Sequence, residues 1–230
     1  MRALILEHER ATPGGLVQQW LGERGADVDV YPIDAETRDV DPRDYTMLVS
    51  LGSEFAAYDD SIPWIPREME LLRRAASDDV PVLGICFGGQ LLARSLGGES
   101  FRSEQSEIGW LPVNSKEPEL VPEGPWFQWH FDTFTPPPGS SLIADSPVGP
   151  QAYTIGRSLG VQFHPEVTPE IMDDWVRVYR HELDGDGVDP DALLRETYDR
   201  AADTRNAAWR LFDRFLDRVN GDRPEVASGR

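Results

Sequence analysis

The chain has 230 residues, 40% of them hydrophobic and 27% charged, with 41 acidic against 22 basic side chains. A formal net charge of −19 argues against binding nucleic acid or an anionic membrane. A single cysteine excludes an internal disulfide and a cysteine-rich zinc site.

No apolar run reaches bilayer length, and the apolar N-terminal stretch Met1–Leu6 is too short for a signal peptide, so a cytoplasmic protein is expected. Residues 2–7 read as a buried first strand. A turn at Pro13-Gly14-Gly15 leads to a helix through Leu16, Val17, Trp20 and Leu21, stopped by Gly25. Asp27–Tyr31 alternate as a second strand and Tyr45–Leu51 form a third. This spacing predicts parallel strands with crossover helices. A long loop follows Gly52-Ser53-Glu54, through Phe55, Tyr58 and Trp64. Pro66 is expected to open a helix carrying Met69, Leu71, Leu72 and Ala75 on its apolar face.

Val80–Ile85 is a short apolar β run, and Leu91, Leu92, Ser95 and Leu96 have helical spacing up to Gly97-Gly98. After Gly98, short β pieces are predicted at 109–113, 126–130, 151–155 and 159–163, extending the sheet and adding an antiparallel ribbon. Thr168-Pro169-Glu170 caps a helix to about His181. Asp184-Gly185-Asp186-Gly187 reads as a linker; it lacks the twelfth-position ligand of a calcium loop. A long amphipathic helix then runs from Asp189-Pro190 to about Val219. Its stripe is Leu194, Tyr198, Ala201, Ala208, Phe212, Phe215 and Val219, and packing on the domain is expected. The tail from Gly221 is expected to fray.

The chemistry centres on Cys86. It sits at the apex of the turn between the 80–85 strand and the following helix, with Gly84 two residues before it and Gly88 two after. That is the layout of a nucleophile elbow. The helix N-terminus favours a thiolate, and the Phe87 N–H is free to face a developing oxyanion. Taken alone, the stretch equally suits a buried small hydrophobe or a phosphate cradle. Ligands of open α/β sheets bind at the carboxyl ends of the strands, and His8, Gly52-Ser53 and Cys86 all fall there.

A cysteine nucleophile needs a base, and the base an orienting group. Of the four histidines, His164 in Val161-Gln162-Phe163-His164-Pro165-Glu166 is the best candidate. It closes a β run, and Glu166 lies on the same side of an extended chain, placed to fix the ring tautomer. The bland alternative is a hydrogen-bonded histidine at a strand end. His181 reads as solvated, His130 as pocket wall or core, and His8 as crevice lining without a chemical role. His164 and Glu166 as metal ligands is the weaker reading, because the Pro-Cys-x-x-Cys of zinc deaminases is absent.

With both motifs in view, Gly84-Ile85-Cys86-Phe87-Gly88-Gly89-Gln90 and Phe163-His164-Pro165-Glu166 resemble the class I glutamine amidotransferases, in particular stand-alone proteins similar to the amidotransferase domain of GMP synthase. The resemblance runs from His8 to about Tyr179. It implies a flavodoxin-like α/β fold: an open, twisted, mostly parallel sheet with helices on both faces. Residues 1–185 would form that domain, and 186–230 the linker, the long helix and the tail.

The resemblance also implies a Cys86–His164–Glu166 triad that cleaves the side-chain amide of glutamine through a γ-glutamyl thioester, releasing glutamate and ammonia. Gly52, Ser53 and Phe87 would hold the oxyanion. Gln90, Trp129, Phe131 and Asp132 would meet the substrate. No metal or cofactor is implied, and the small-molecule substrate is L-glutamine or another γ-glutamyl compound. The family commonly carries Gly-Gly-Pro where Gly52-Ser53-Glu54 stands, a difference that bears on substrate identity. No Gly-x-x-x-x-Gly-Lys loop or second catalytic domain is visible, so ammonia would pass to a separate synthetase partner. The alternatives are a γ-glutamyl peptidase or hydrolase, and a binding or regulatory protein on the same fold.

Overall fold

A computed structural model describes residues 1–221. In chain order the elements are β1 (Arg2–Glu7), α1 (Gly15–Glu23), β2 (Asp27–Pro32), β3 (Met47–Ser50), α2 (Trp64–Ser77), β4 (Val82–Ile85), α3 (Phe87–Ser95), β5 (Glu99–Leu111), β6 (Asn114–Ser115) and β7 (Trp126–Thr135). There follow β8 (Ser141–Asp145), β9 (Pro150–Ile155), β10 (Ser158–Val161), α4 (Pro169–Val178), α5 (Arg180–Asp186) and α6 (Pro190–Gly221). Eight strands form one sheet in the order β2-β1-β3-β4-β10-β9-β8-β6, and β5 and β7 pair as a separate antiparallel ribbon. The five strands from β2 to β10 are parallel, and the remaining three run antiparallel.

Strand alternation builds two cores. Ala3, Ile5, Met47, Val49, Leu83 and Ile85 face one side, where Trp20 and Leu21 of α1 meet Phe212 and Phe215 of α6. Leu4, Leu6, Leu48 and Val82 face the other, under Ile65 and Leu72 of α2 and Leu91 and Leu92 of α3. Burial on both faces explains why the central strands β1, β3 and β4 read as continuous apolar runs, whereas β2 at the sheet edge alternates. A third cluster joins Phe127 and Trp129 of β7 to Trp175 of α4 and Leu193 of α6.

The structure corrects the sequence reading in several places. α2 begins at Trp64, so Pro66 is its third residue; the first-turn N–H groups have no helical acceptor, and proline is tolerated there. β5 starts at Glu99, ten residues before the predicted piece. Its polar, largely exposed stretch carries no apolar signal and is held by pairing to β7. β8 has no counterpart in the prediction. Asp184–Asp186 belong to α5 rather than to a linker: Leu183 is fully buried, Val188 N–H bonds its carbonyl, and Gly187 ends the turn at φ +69°.

α6 packs on the domain, but its first half presents Leu193 and Thr197, one residue off the predicted stripe. Tyr198 is exposed, its hydroxyl donating to Asp173 at 2.6 Å, whereas the Thr197 hydroxyl accepts from Trp110 Nε1 at 3.1 Å. α6 includes Gly221, and the rest of the expected fraying tail lies outside the described residues. No described helix is long and apolar enough to cross a membrane.

Candidate active site

Cys86 stands between β4 and α3 with φ +52° and ψ −110°, a strained backbone for a residue with a side chain. The strain has a cause in packing. A Cβ on Gly84 would sit 2.6 Å from the Gly88 carbonyl oxygen, and one on Gly88 would sit 2.1 Å from the carbonyl oxygen of Ser50. Only glycines let strand, turn and helix approach this closely. The Gly88 N–H donates to Leu51 O at 2.9 Å, fastening the first turn of α3 to the end of β3. No protein hydrogen bond engages the Phe87 N–H among the described residues.

His164 follows β10, its own N–H donating to Phe127 O at 2.8 Å. The ring is buried, with Trp175 edge-on at 4.8 Å. Nδ1 lies 2.7 Å from Glu166 Oε1; since a carboxylate only accepts, Nδ1 is the donor. Glu166 is pinned in turn, because its carbonyl accepts the Leu16 N–H at 2.8 Å and a Cβ on Gly15 would strike that same oxygen at 2.1 Å. The other ring nitrogen, Nε2, is buried without a hydrogen bond. Burial opposes charge on His164, but the Glu166 carboxylate and the Cys86 sulfur outweigh it and push the imidazole up to about 10.

One cleft contains these groups. Gly52, Ser53, Cys86, Phe87, Gln90, Trp129, Phe131, Asp132 and His164 line it, so β3, β4, α3, β7 and the segment after β10 converge there. Glu166 stands behind His164 rather than in the wall. His8 does not line the cleft as expected: it is fully buried behind Gly52. His130 is a wall residue; its Nδ1 donates to Asp132 O at 3.0 Å and its Nε2 lies 3.1 Å from Glu107.

Gln90 lines the cleft, yet its amide is occupied by the protein. Nε2 donates to Asp132 O at 3.2 Å and to Gln162 Oε1 at 3.1 Å. Gln162 was not foreseen as a site residue. Its Nε2 points at Cys86 Sγ from 3.6 Å, and the signal was its place two residues before His164 in the same motif. The acidic rim was also missed. Glu9, Glu54 and Glu182 join Asp132 in the wall, with Arg102 the one Lys or Arg side chain among the lining residues. Burial, then the nearby charge of Glu54, push Glu9 up to about 7 even though it accepts the Glu54 N–H at 2.8 Å. Among the described residues, no group of three or more His, Cys, Asp or Glu side chains is placed to hold a metal.

Sheet order and cleft together define an α/β protein with a cysteine at the carboxyl edge of its parallel strands, facing a histidine–carboxylate pair. The family model "Glutamine amidotransferase class-I" matches residues 15–176, and the chain belongs to that family. A glutamine-hydrolyzing GMP synthase of Thermus thermophilus is 39% identical over 150 residues, covering 57% of this chain and 29% of the relative. That of Ralstonia pickettii is 30% identical over 213 residues, covering 82% and 38%. The chain therefore spans less than two fifths of these relatives. Two solved structures match over nearly their whole lengths. A glutamine amidotransferase from Thermotoga maritima has a TM-score of 0.86 at 28% identity, covering 94% of this chain and 98% of that one. One from Methylobacillus flagellatus has a TM-score of 0.87 at 27% identity, covering 100% and 98%.

Proposed function

We propose that the chain hydrolyses the side-chain amide of glutamine with Cys86, His164 and Glu166. The observation that carries this reading is a strained Cys86 in one cleft with a buried His164 whose Nε2 is unpartnered and whose Nδ1 is held at 2.7 Å by Glu166. The Cys86 thiolate attacks the amide carbon. Charge developing on the amide oxygen meets the N–H groups of Phe87 and of the Gly52-Ser53 segment. His164, kept charged by Glu166, gives its proton to the departing ammonia, and the γ-glutamyl thioester forms. The neutral imidazole then takes a proton from water, which attacks the thioester and releases glutamate.

The Trp129–Asp132 backbone and the acidic rim surround the amino-acid end of the substrate. Gln90 acts by fixing the Asp132 carbonyl rather than by touching substrate. Ammonia would pass to a synthetase partner, as a cytoplasmic subunit would supply it. The test is glutamate release from L-glutamine by the purified chain, with Cys86→Ala as the control; activity that survives in the control would sink the reading.

A second reading, hydrolysis of γ-glutamyl amines, is favoured by one observation. Phe55, in the loop after β3, lines the cleft and remains 37% exposed, so the cleft meets solvent on that side. Turnover of γ-glutamyl dipeptides in preference to glutamine would select it.

A further inference from the structure

His8 and Glu68 form a buried pair that the chemistry of Cys86 leaves unused. Both are fully buried. The His8 ring stacks on Trp64 at 5.0 Å and meets Phe87 edge-on at 4.8 Å. Its Nε2 lies 2.8 Å from Glu68 Oε2, and the other Glu68 oxygen accepts the Ser50 hydroxyl at 2.7 Å. Its Nδ1 lies 2.9 Å from the carbonyl oxygen of Gly52. A carbonyl can only accept, so Nδ1 donates to it. Burial works against charge on His8, but Glu68 overrides it and the pKa is raised, which favours a ring that donates on both sides.

The Gly52 carbonyl is where this pair touches the cleft. The C=O of Gly52 and the N–H of Ser53 belong to one planar trans peptide and point in opposite directions. His8 lies behind the wall, whereas Gly52 and Ser53 line it. A carbonyl drawn back onto His8 therefore turns the Ser53 N–H toward the cleft. No protein hydrogen bond engages that N–H among the described residues. Glycine, without a Cβ, lets such a peptide turn over readily, so the orientation needs a restraint. A Cβ at residue 52 would sit 3.1 Å from His164 Cε1, a tight contact that would press on that ring.

We propose that His8, held by Glu68, is a positioning residue: a latch on the Gly52–Ser53 peptide that keeps the Ser53 N–H aimed at the oxyanion. This rests on the amide-hydrolysis reading above. A latch of this kind acts on the transition state, so its loss lowers kcat and leaves KM nearly unchanged.

Two substitutions separate the latch from the fold. In His8→Asn the amide nitrogen takes the place of Nδ1 and still reaches Gly52. In His8→Gln it takes the place of Nε2 and reaches Glu68 instead. The Gln variant, with Glu68 still paired, is expected to be the more stable and the less active. Its kcat for γ-amide hydrolysis falls on the order of 10²-fold, the range for losing one oxyanion donor, with KM within threefold. Alkylation of Cys86 by iodoacetamide, which forms no oxyanion, stays within twofold. The Asn variant is less stable and recovers at least tenfold of the lost kcat. A crystal structure of the Gln variant shows the Gly52–Ser53 peptide turned over. Activity that merely follows stability, or an unturned peptide in the Gln variant, overturns the latch. If the wild type hydrolyses no γ-glutamyl amide, the parent reading fails by itself. The crystal structure then still decides whether His8 sets the peptide.

Discussion

His164 and Glu166 are two residues apart in sequence and 2.7 Å apart between Nδ1 and Oε1, and both are buried. A turn at Pro165-Glu166 brings the two side chains together, and packing of Gly15 against the Glu166 carbonyl fixes the distance. Replacing Glu166 with Gln keeps the volume and removes the charge that holds an imidazolium. On the proposed mechanism kcat falls by about 10²–10⁴-fold while the fold survives. Glutamate release with parallel circular dichroism measures it, and a loss below threefold would remove Glu166 from the mechanism.

The same pair sets a pH dependence. The folded value of His164, about 10, exceeds the ordinary histidine value of about 6.5. A group raised on folding stabilises fully below its unfolded value and loses that contribution as pH rises toward the folded one. The stability difference between wild type and His164→Gln should therefore be largest near pH 6 and narrow steadily up to about pH 10. Urea unfolding across this range measures it; curves that stay parallel would mean that His164 is not held as an imidazolium.

Glu9 carries the opposite expectation for an acid. Its value is raised from the usual carboxylate range to about 7, so ionising it between roughly pH 4.5 and 7 costs stability. Glu9→Gln should stabilise the protein at pH 8, by about 1 kcal/mol or about 2–4 °C in Tm at this chain length, and do little at pH 4.5. Thermal melts at the two pH values settle it. An equal effect at both would show that Glu9 is ionised throughout.

The elbow predicts a severe single-atom effect. Gly88→Ala places a Cβ 2.1 Å from the Ser50 carbonyl oxygen, which is backbone and cannot rotate away. The expected loss is about 3 kcal/mol or more, lowering Tm by about 6–12 °C, with Cys86 displaced from the cleft. Cys86 alkylation and thermal melting should change together; a variant with unchanged Tm would mean that β3 and α3 separate easily.

Phe212 tests whether α6 belongs to the fold. It is fully buried and packs against Trp20 at 5.5 Å between ring centroids. Phe212→Ala should cost about 3–5 kcal/mol in denaturant unfolding. A cost below 1 kcal/mol would mark α6 as an appendage.

The sequence by itself determined the parallel strands and the elbow, because both are local. Strands buried on two faces must be continuously apolar, and a strained apex needs glycines at fixed offsets around Cys86. His164 and Glu166 were legible for the same reason, being two residues apart in one short motif. It did not determine β5, whose polar residues are held by β7 rather than by burial, nor the face of α6 at Leu193 and Thr197, which Trp110 selects. Only the tertiary structure decided what surrounds the sulfur. Gln162 at 3.6 Å, the Glu9–Glu54 rim and the His8–Glu68 pair behind Gly52 each depend on strands brought together by sheet order. Contacts between residues 44 to 76 positions apart, such as His8 to Gly52 and Gln162 to Cys86, leave no periodic trace in a single chain.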